Sequence, residues 1–232
     1  MSTQEAANLL WRVDILEPLP GEEVEQLSLR IPEVRSQEGQ LFFVPSFSTG
    51  VLFLVLEGRV RIYKMVDERE LTLDVLESGT MFGEAALLGE PEGTYAEILE
   101  PCRISLLNTE LLIGIVQDNP AVGLRLAELL ATRARLYAER MADIALKQVP
   151  VRLASLFLWL AEIEGTVSAE GYLVPSRYTH EELGAMVGAK RVAITRAMKK
   201  LRDTGALEAD QERILIKDRE ALEGISAGSA LA

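Results

Sequence analysis

The chain has 232 residues, with 24 Lys and Arg against 36 Asp and Glu, a formal net charge of −12. At 48% hydrophobic and 26% charged residues it has the composition of a globular protein, which excludes a disordered chain. One cysteine (Cys102) excludes an intramolecular disulfide and a four-thiolate cluster, and one histidine (His180) excludes a multi-histidine metal site.

The charge is unevenly distributed. Residues 1–146 hold 12 basic and 24 acidic side chains, whereas residues 147–232 hold 12 of each. The acidic excess therefore lies wholly in the first part, and the total does not argue against a polyanionic partner for the second. No run of about 18 apolar residues is long enough to span a membrane. The N-terminus lacks the basic start and apolar stretch of a signal peptide, so a reducing cytoplasm is the expected compartment.

In chain order, residues 5–12 and 21–30 are expected to be short helices separated by a turn at Pro18–Gly21. From about residue 38 the pattern alternates: LFFVPS, VLFLVLEGRVRIYKMV and ELTLDVLESG predict strands of a half-buried antiparallel sheet. Turns are expected at Gly39, Gly50, Ser78-Gly79, Gly89-Glu90-Pro91 and Glu100-Pro101, with a hairpin turn at Glu57-Gly58. Short strands at this spacing predict a jelly-roll-like β-roll.

Near residue 118 the period becomes helical and remains so to about residue 146, with Asp118 or Asn119 as cap and Pro120 in the first helical position. Leu130, Ala134, Tyr137, Met141 and Ile144 follow a heptad spacing, which Gly123 and Ala127 extend backwards. These positions predict a dimer seam, while Leu126, Leu129 and Leu136 are expected to pack on the sheet. Gln148-Val149-Pro150 breaks the helix as a hinge, a second apolar helix covers 151–164, and residues 166–175 form a loop and a short strand ending at Pro175.

Residues 179–202 read THEELGAMVGAKRVAITRAMKKLR. Thr179 and Glu182 have capping-box spacing, Gly188 ends the helix they start, and a second helix begins near Lys190. Two short helices joined by a tight glycine-containing turn form a helix-turn-helix, with Leu183, Val187, Ile194 and Leu201 as its core. Between 190 and 202 there are six basic residues and no acidic one. Arg191 and Arg196 are placed to read base edges, Val192 to touch a thymine methyl, and Lys199, Lys200 and Arg202 to meet phosphates. Thr179, His180, Lys190 and Thr195 complete the candidate DNA-binding set. The segment LEADQERILIKD turns around Asp210–Glu212 and is expected to form a β-wing.

The order β-roll, long helix, winged helix-turn-helix resembles the CRP/FNR superfamily of bacterial transcription regulators over nearly the whole chain. The motifs are GQLFFVPS, VLFLVLEGRVRIYK, SGTMFGEAALLG and THEELGAMVGAKRVAITRAMKKLRDTGALE. The resemblance implies an α+β protein with three parts: a cyclic-nucleotide-binding-like sensor at 1–117, a dimerisation helix at 118–146 and a winged helix-turn-helix DNA-binding domain at 147–232. It further implies a homodimer on duplex DNA that meets RNA polymerase, in the manner of an activator.

The family's nucleotide cassette runs from Phe-Gly-Glu to an Arg followed by Ser or Thr. Here Phe82-Gly83-Glu84-Ala85 is present, but the other end is Gly93-Thr94, without the phosphate-pairing cation. DNA binding independent of cyclic AMP is therefore expected. The pattern Arg191-Val192…Thr195-Arg196 is similar to that of nitrogen-control members that bind 2-oxoglutarate, and Arg133 matches a pocket position of theirs. The candidate effector pocket is Phe82, Gly83, Glu84, Ala85, Thr94, Arg133 and Tyr137. The competing reading is an effector-sensing or protein-interaction module with degenerate DNA binding. No catalytic, metal or cofactor residues are assigned: no carboxylate pairs with a nucleophile, and Cys102 has the setting of a small buried thiol.

Overall fold

The structure is a computed structural model that describes residues 9–43, 50–163, 165–174, 178–209 and 213–228. The start of the expected 5–12 helix, the end of LFFVPS, Glu164, Pro175 and the expected wing turn at Asp210–Glu212 lie outside the described residues. Leu9 and Leu10 are helical, and α1 (Gly21–Arg30) follows them.

Six strands form the roll: β1 (Glu33–Ser36), β2 (Leu41–Phe43), β3 (Val51–Val66), β4 (Arg69–Leu76), β5 (Met81–Phe82) and β6 (Tyr95–Asn108). Their order is β1-β6-β3-β4, with β2 also on β6 and β5 also on β3. Two expected turns are absent. Glu57-Gly58 lies inside the 16-residue strand β3, and Glu100-Pro101 lies inside the 14-residue strand β6. The two breaks face each other, and the register shifts between Val55 and Val60. Gly58 has φ +88°, and a Cβ there would lie 2.4 Å from the Pro101 carbonyl oxygen. A turn-like residue on each strand thus makes a bulged bend in a continuous ribbon. The actual hairpin turn is Asp67-Glu68, both at positive φ.

The uninterrupted apolar run of β3 is explained by burial on both faces. Leu52, Leu54 and Leu56 join one core cluster with Ile15, Leu16, Leu107 and Leu112. Phe53 and Val55 join the other, with Val60, Phe82, Ile98, Cys102 and Ile104.

Two helices follow the roll. α2 (Thr109–Asp118) was not expected as a separate helix; Asn108 caps it by accepting from the Leu111 amide at 2.7 Å. α3 (Pro120–Leu146) starts at the expected proline, with Asn119 accepting from the Ala121 amide at 3.3 Å. Leu126 and Leu129 pack on the first core as expected, as does Leu130, whereas Leu136 is 48% exposed. A Cβ on Gly123 would stand 2.8 Å from Val116 on α2, so its small size serves this packing within the subunit.

The chain divides into two compact units within α3. One holds the roll and α3 through Leu136; the other holds Tyr137 onward together with Arg69–Leu71.

The second unit contains α4 (Val149–Ile163), the hairpin β7 (Thr166–Ser168) and β8 (Gly171–Val174), α5 (His180–Val187), α6 (Arg191–Asp203), β9 (Leu207–Ala209), β10 (Ile214–Ile216) and α7 (Arg219–Ser226). The strands form one sheet in the order β7-β8-β10-β9. α7 was not foreseen in the sequence; Asp218 caps it by accepting from the Ala221 amide at 2.9 Å. The core joins Leu153, Phe157 and Leu160 of α4 to Leu183, Val187, Ile194 and Leu201, with Leu222 and Ile225 closing it.

Candidate nucleic-acid interface

The helix-turn-helix is built by local chemistry. The Glu182 amide donates to Thr179 Oγ1 at 3.1 Å, and the Thr179 amide donates to Glu182 Oε2 at 2.6 Å, which completes the expected capping box. Gly188 ends α5 in the left-handed region, at φ +65°. A second glycine is needed at Gly184, where a Cβ would lie 2.5 Å from the Ala189 carbonyl oxygen. The sequence signals Gly188 alone, because the close approach at Gly184 exists only once the turn has folded back.

Two arginines hold the other end of α5. Arg140 of α3 donates to the Met186 carbonyl at 2.6 Å, and Arg152 of α4 donates to the Val187 carbonyl at 2.7 Å. These are the last carbonyls of a helix, which have no partner within it. Burial pulls the Arg152 guanidinium below its ordinary pKa, against the opposite pull of Asp143. Ile144 of α3 lies close to Gly188, so the end of the long helix also packs on the turn.

α6 is sharply two-faced. Ile194, Ala197, Met198 and Leu201 are buried, whereas Arg191, Val192, Thr195, Arg196, Lys199 and Lys200 are exposed. Lys190, Arg191, Arg196, Lys199 and Lys200 form no ion pair among the described residues. Arg202 differs, because its guanidinium reaches the Ala209 carbonyl on β9 at 3.5 Å and links the helix to the sheet. His180 and Thr195 meet across the motif, with Nδ1 to Oγ1 at 2.9 Å.

The candidate effector region is differently occupied. Phe82 is 2% exposed and stacks on Phe53 with centroids 4.9 Å apart, so it belongs to the core. Gly83 has φ +89° with the Phe53 ring beneath it, and Thr94 is buried. Arg133 donates to Glu84 Oε1 at 2.6 Å and to the Met81 carbonyl at 2.9 Å, and its Nε lies 3.9 Å from Asp74. Glu92, one residue before Gly93, accepts from the Ala85 amide at 2.8 Å. Burial and the charge of Glu84 push the Glu92 carboxyl above the usual carboxylate range, while the Ala85 and Ala86 amides and Arg133 pull it back. Three carboxylates therefore surround Arg133, and one occupies an amide of the Phe-Gly-Glu-Ala segment. This donor set does not fit an added phosphate. Tyr137 is half-buried and falls in the second unit.

On α3, Ala134 and Met141 of the expected seam are exposed, whereas Leu130, Tyr137 and Ile144 are half-buried. Of its exposed apolar positions, Leu124, Ala127, Ala131, Ala134, Ala138, Met141 and Ala145 keep an alternating three- and four-residue spacing, while Ala121, Leu136, Ala142 and Leu146 lie off it. Cys102 is buried, and desolvation pushes its thiol up to about 11. Among the described residues no cluster of three His, Cys, Asp or Glu side chains is placed to hold a metal ion, and no helix is long and apolar enough to cross a membrane.

Comparison with known proteins agrees with this geometry. Residues 34–119 match the cyclic nucleotide-binding domain, and residues 151–225 match the Crp-like helix-turn-helix domain. The chain is 26% identical over 216 residues to a CRP-like cAMP-activated global transcriptional regulator of Mycobacterium tuberculosis, covering 92% of this chain and 96% of the relative. It is 28% identical over 169 residues to the cAMP-activated global transcriptional regulator CRP of Pasteurella multocida, covering 71% and 80%. The fold is shared with the c-di-GMP responsive global regulator CLP of Xanthomonas campestris, at TM-score 0.76 and 23% identity over 85% of this chain and 99% of that one.

Proposed function

The chain belongs to the CRP/FNR family of DNA-binding transcription regulators, and from that premise we propose that it works as a cytoplasmic homodimer on a near-palindromic operator without needing a cyclic nucleotide. The observation that carries the DNA contact is the row of cations on the exposed face of α6 that form no ion pair among the described residues. Arg191 and Arg196 read base edges, Val192 meets a thymine methyl, and Lys199 and Lys200 hold phosphates. Thr179, His180, Lys190 and Thr195 flank them. In the dimer, two copies of α6 enter successive major grooves about 34 Å apart.

The exposed apolar stripe of α3 supports helix-to-helix pairing, and its alanines allow close approach. On this reading residues 1–117 are the sensor, 118–146 the dimer helix and 147–232 the DNA-binding domain, with RNA polymerase as a further partner at the promoter. Independence from cyclic AMP follows from the surplus of carboxylates around Arg133: burying a phosphate there adds a fourth negative group to a single guanidinium. The same charge count disfavours 2-oxoglutarate.

Selection of preferred operators from random duplexes by the purified protein, with and without cyclic AMP, tests both parts. Enrichment of a near-palindrome without nucleotide is the expected result. Enrichment only after cyclic AMP is added overturns the independence, and no enrichment under either condition overturns the operator.

A further inference from the structure

We propose that His180 is a proton-dependent phosphate contact positioned by Thr195, so that DNA and protons bind cooperatively. The inference rests on the DNA-binding reading above and adds a regulation to it. Thr195 has one hydroxyl proton, and Oγ1 donates it to the Arg191 carbonyl at 3.1 Å. In the proposed arrangement the same oxygen accepts from the ring, 2.9 Å away, and His180 Nδ1 carries the proton. The neutral ring then leaves Nε2 as a bare acceptor, and Nε2 has no hydrogen-bond partner among the described residues.

A phosphate oxygen is also an acceptor, so the neutral ring has nothing to offer it. A second proton turns Nε2 into a charged donor, which is the strong kind of phosphate contact. Thr195 matters because it fixes both the tautomer and the ring direction from the recognition helix itself. The charged groups of this corner are Arg191 and Lys199, one turn to either side of Thr195 on α6, and Glu181 and Glu182 on α5. Glu182 is held in the capping box. On α4, Arg152 is engaged with Val187, and Glu162 with Arg219. None of these carboxylates bonds the ring, so an incoming phosphate is the new partner that favours its charged form. By reciprocity, whatever DNA does for the proton, the proton does for DNA.

The test is affinity for a fluorescent random-sequence duplex measured from about pH 8 to about pH 6. For the native chain the expected gain is about tenfold, with a salt dependence steeper by about one phosphate contact per half-site. His180→Gln, once its melting curve is checked against that of the native chain, should change by less than about twofold over the same range. Thr195→Val should flatten the pH response although the histidine is retained. Proton uptake on binding, read from calorimetry of the native protein in two buffers of different ionisation enthalpy, gives a measure independent of the variants. A pH profile shared by His180→Gln and the native chain, or zero proton uptake, overturns the proposal while leaving DNA binding in place. An unchanged response in Thr195→Val overturns the positioning role. Failure of the native chain to bind duplex at any pH overturns the underlying reading instead.

Discussion

In the first unit, Arg59, Arg61, Arg103 and Arg133 each reach a carboxylate on another strand, turn or helix: Glu100, Glu97, Glu33 and Glu84, at 3.3, 3.0, 2.8 and 2.6 Å. On α6, Lys190, Arg191, Arg196, Lys199 and Lys200 are exposed and form no ion pair among the described residues. These four arginines are internal struts, whereas the exposed face of α6 leaves its cations for something outside the chain, although Arg140, Arg152 and Arg219 of the same unit are engaged internally. Net charge does not reveal this, because residues 1–146 and residues 147–232 each hold 12 basic side chains. What distinguishes them is whether each cation already has a partner.

If the contrast is right, stability and DNA affinity respond to different arginines. The largest effect is expected at Arg103, which is 8% exposed and hydrogen-bonded to Glu33 and Glu57. Arg103→Ala should cost about 2 kcal/mol of unfolding free energy in a urea titration, because it empties a buried site and leaves the partly buried Glu33 without its guanidinium partner. A loss of DNA affinity at unchanged stability breaks the comparison. Next come Arg196→Ala and Lys199→Ala, which should each weaken DNA binding by about 1–2 kcal/mol and leave unfolding within about 0.5 kcal/mol. The arginine change should relax sequence preference in a competition assay, and the lysine change should weaken all duplexes alike.

Smaller effects sharpen the picture of the roll. Glu68→Gly should stabilise it by about 0.5–1 kcal/mol in the same titration, because Glu68 sits at φ +61° in the hairpin turn. The smallest effect is expected at Glu92. Its carboxyl is raised in the folded chain, mainly by burial, so the folded state holds that proton more tightly than the unfolded one does. Stability from this group is therefore present at acid pH and lost as pH rises through the window above the ordinary carboxylate value. Glu92→Gln retains an acceptor for the Ala85 amide and removes the charge. Its melting temperature should exceed that of the native chain by about one or two degrees near pH 7, and the gap should close near pH 4.

The parts legible in the sequence were those set by near neighbours. The capping box at Thr179 and Glu182, the Gly188 stop and the Pro120 start each depend on residues within one turn. The roll was legible as a class of structure but not in its connections. Gly58 and Pro101 are turn residues taken singly, and only their meeting across β3 and β6 makes them a bend in one ribbon. Asp67-Glu68 lacks the usual glycine, so the true hairpin gave no signal. Within the candidate sites, the exposed face of α6 followed from helical spacing. The Arg133–Glu84 pair and the Glu92–Ala85 bond depend on how a loop returns to the sheet, which spacing along the chain does not encode.

The two arginines on the end of α5 bear on how such proteins can be recombined. Arg140 precedes the break at Lys147-Gln148 and Arg152 follows it, yet both grip neighbouring carbonyls, those of Met186 and Val187. A chimera joined at the break would keep one and discard the other, leaving a foreign helix end against the turn at Gly188. A graft that carries its own DNA-reading unit should instead be cut after Leu136, so that the last ten residues of the long helix travel with the motif they hold.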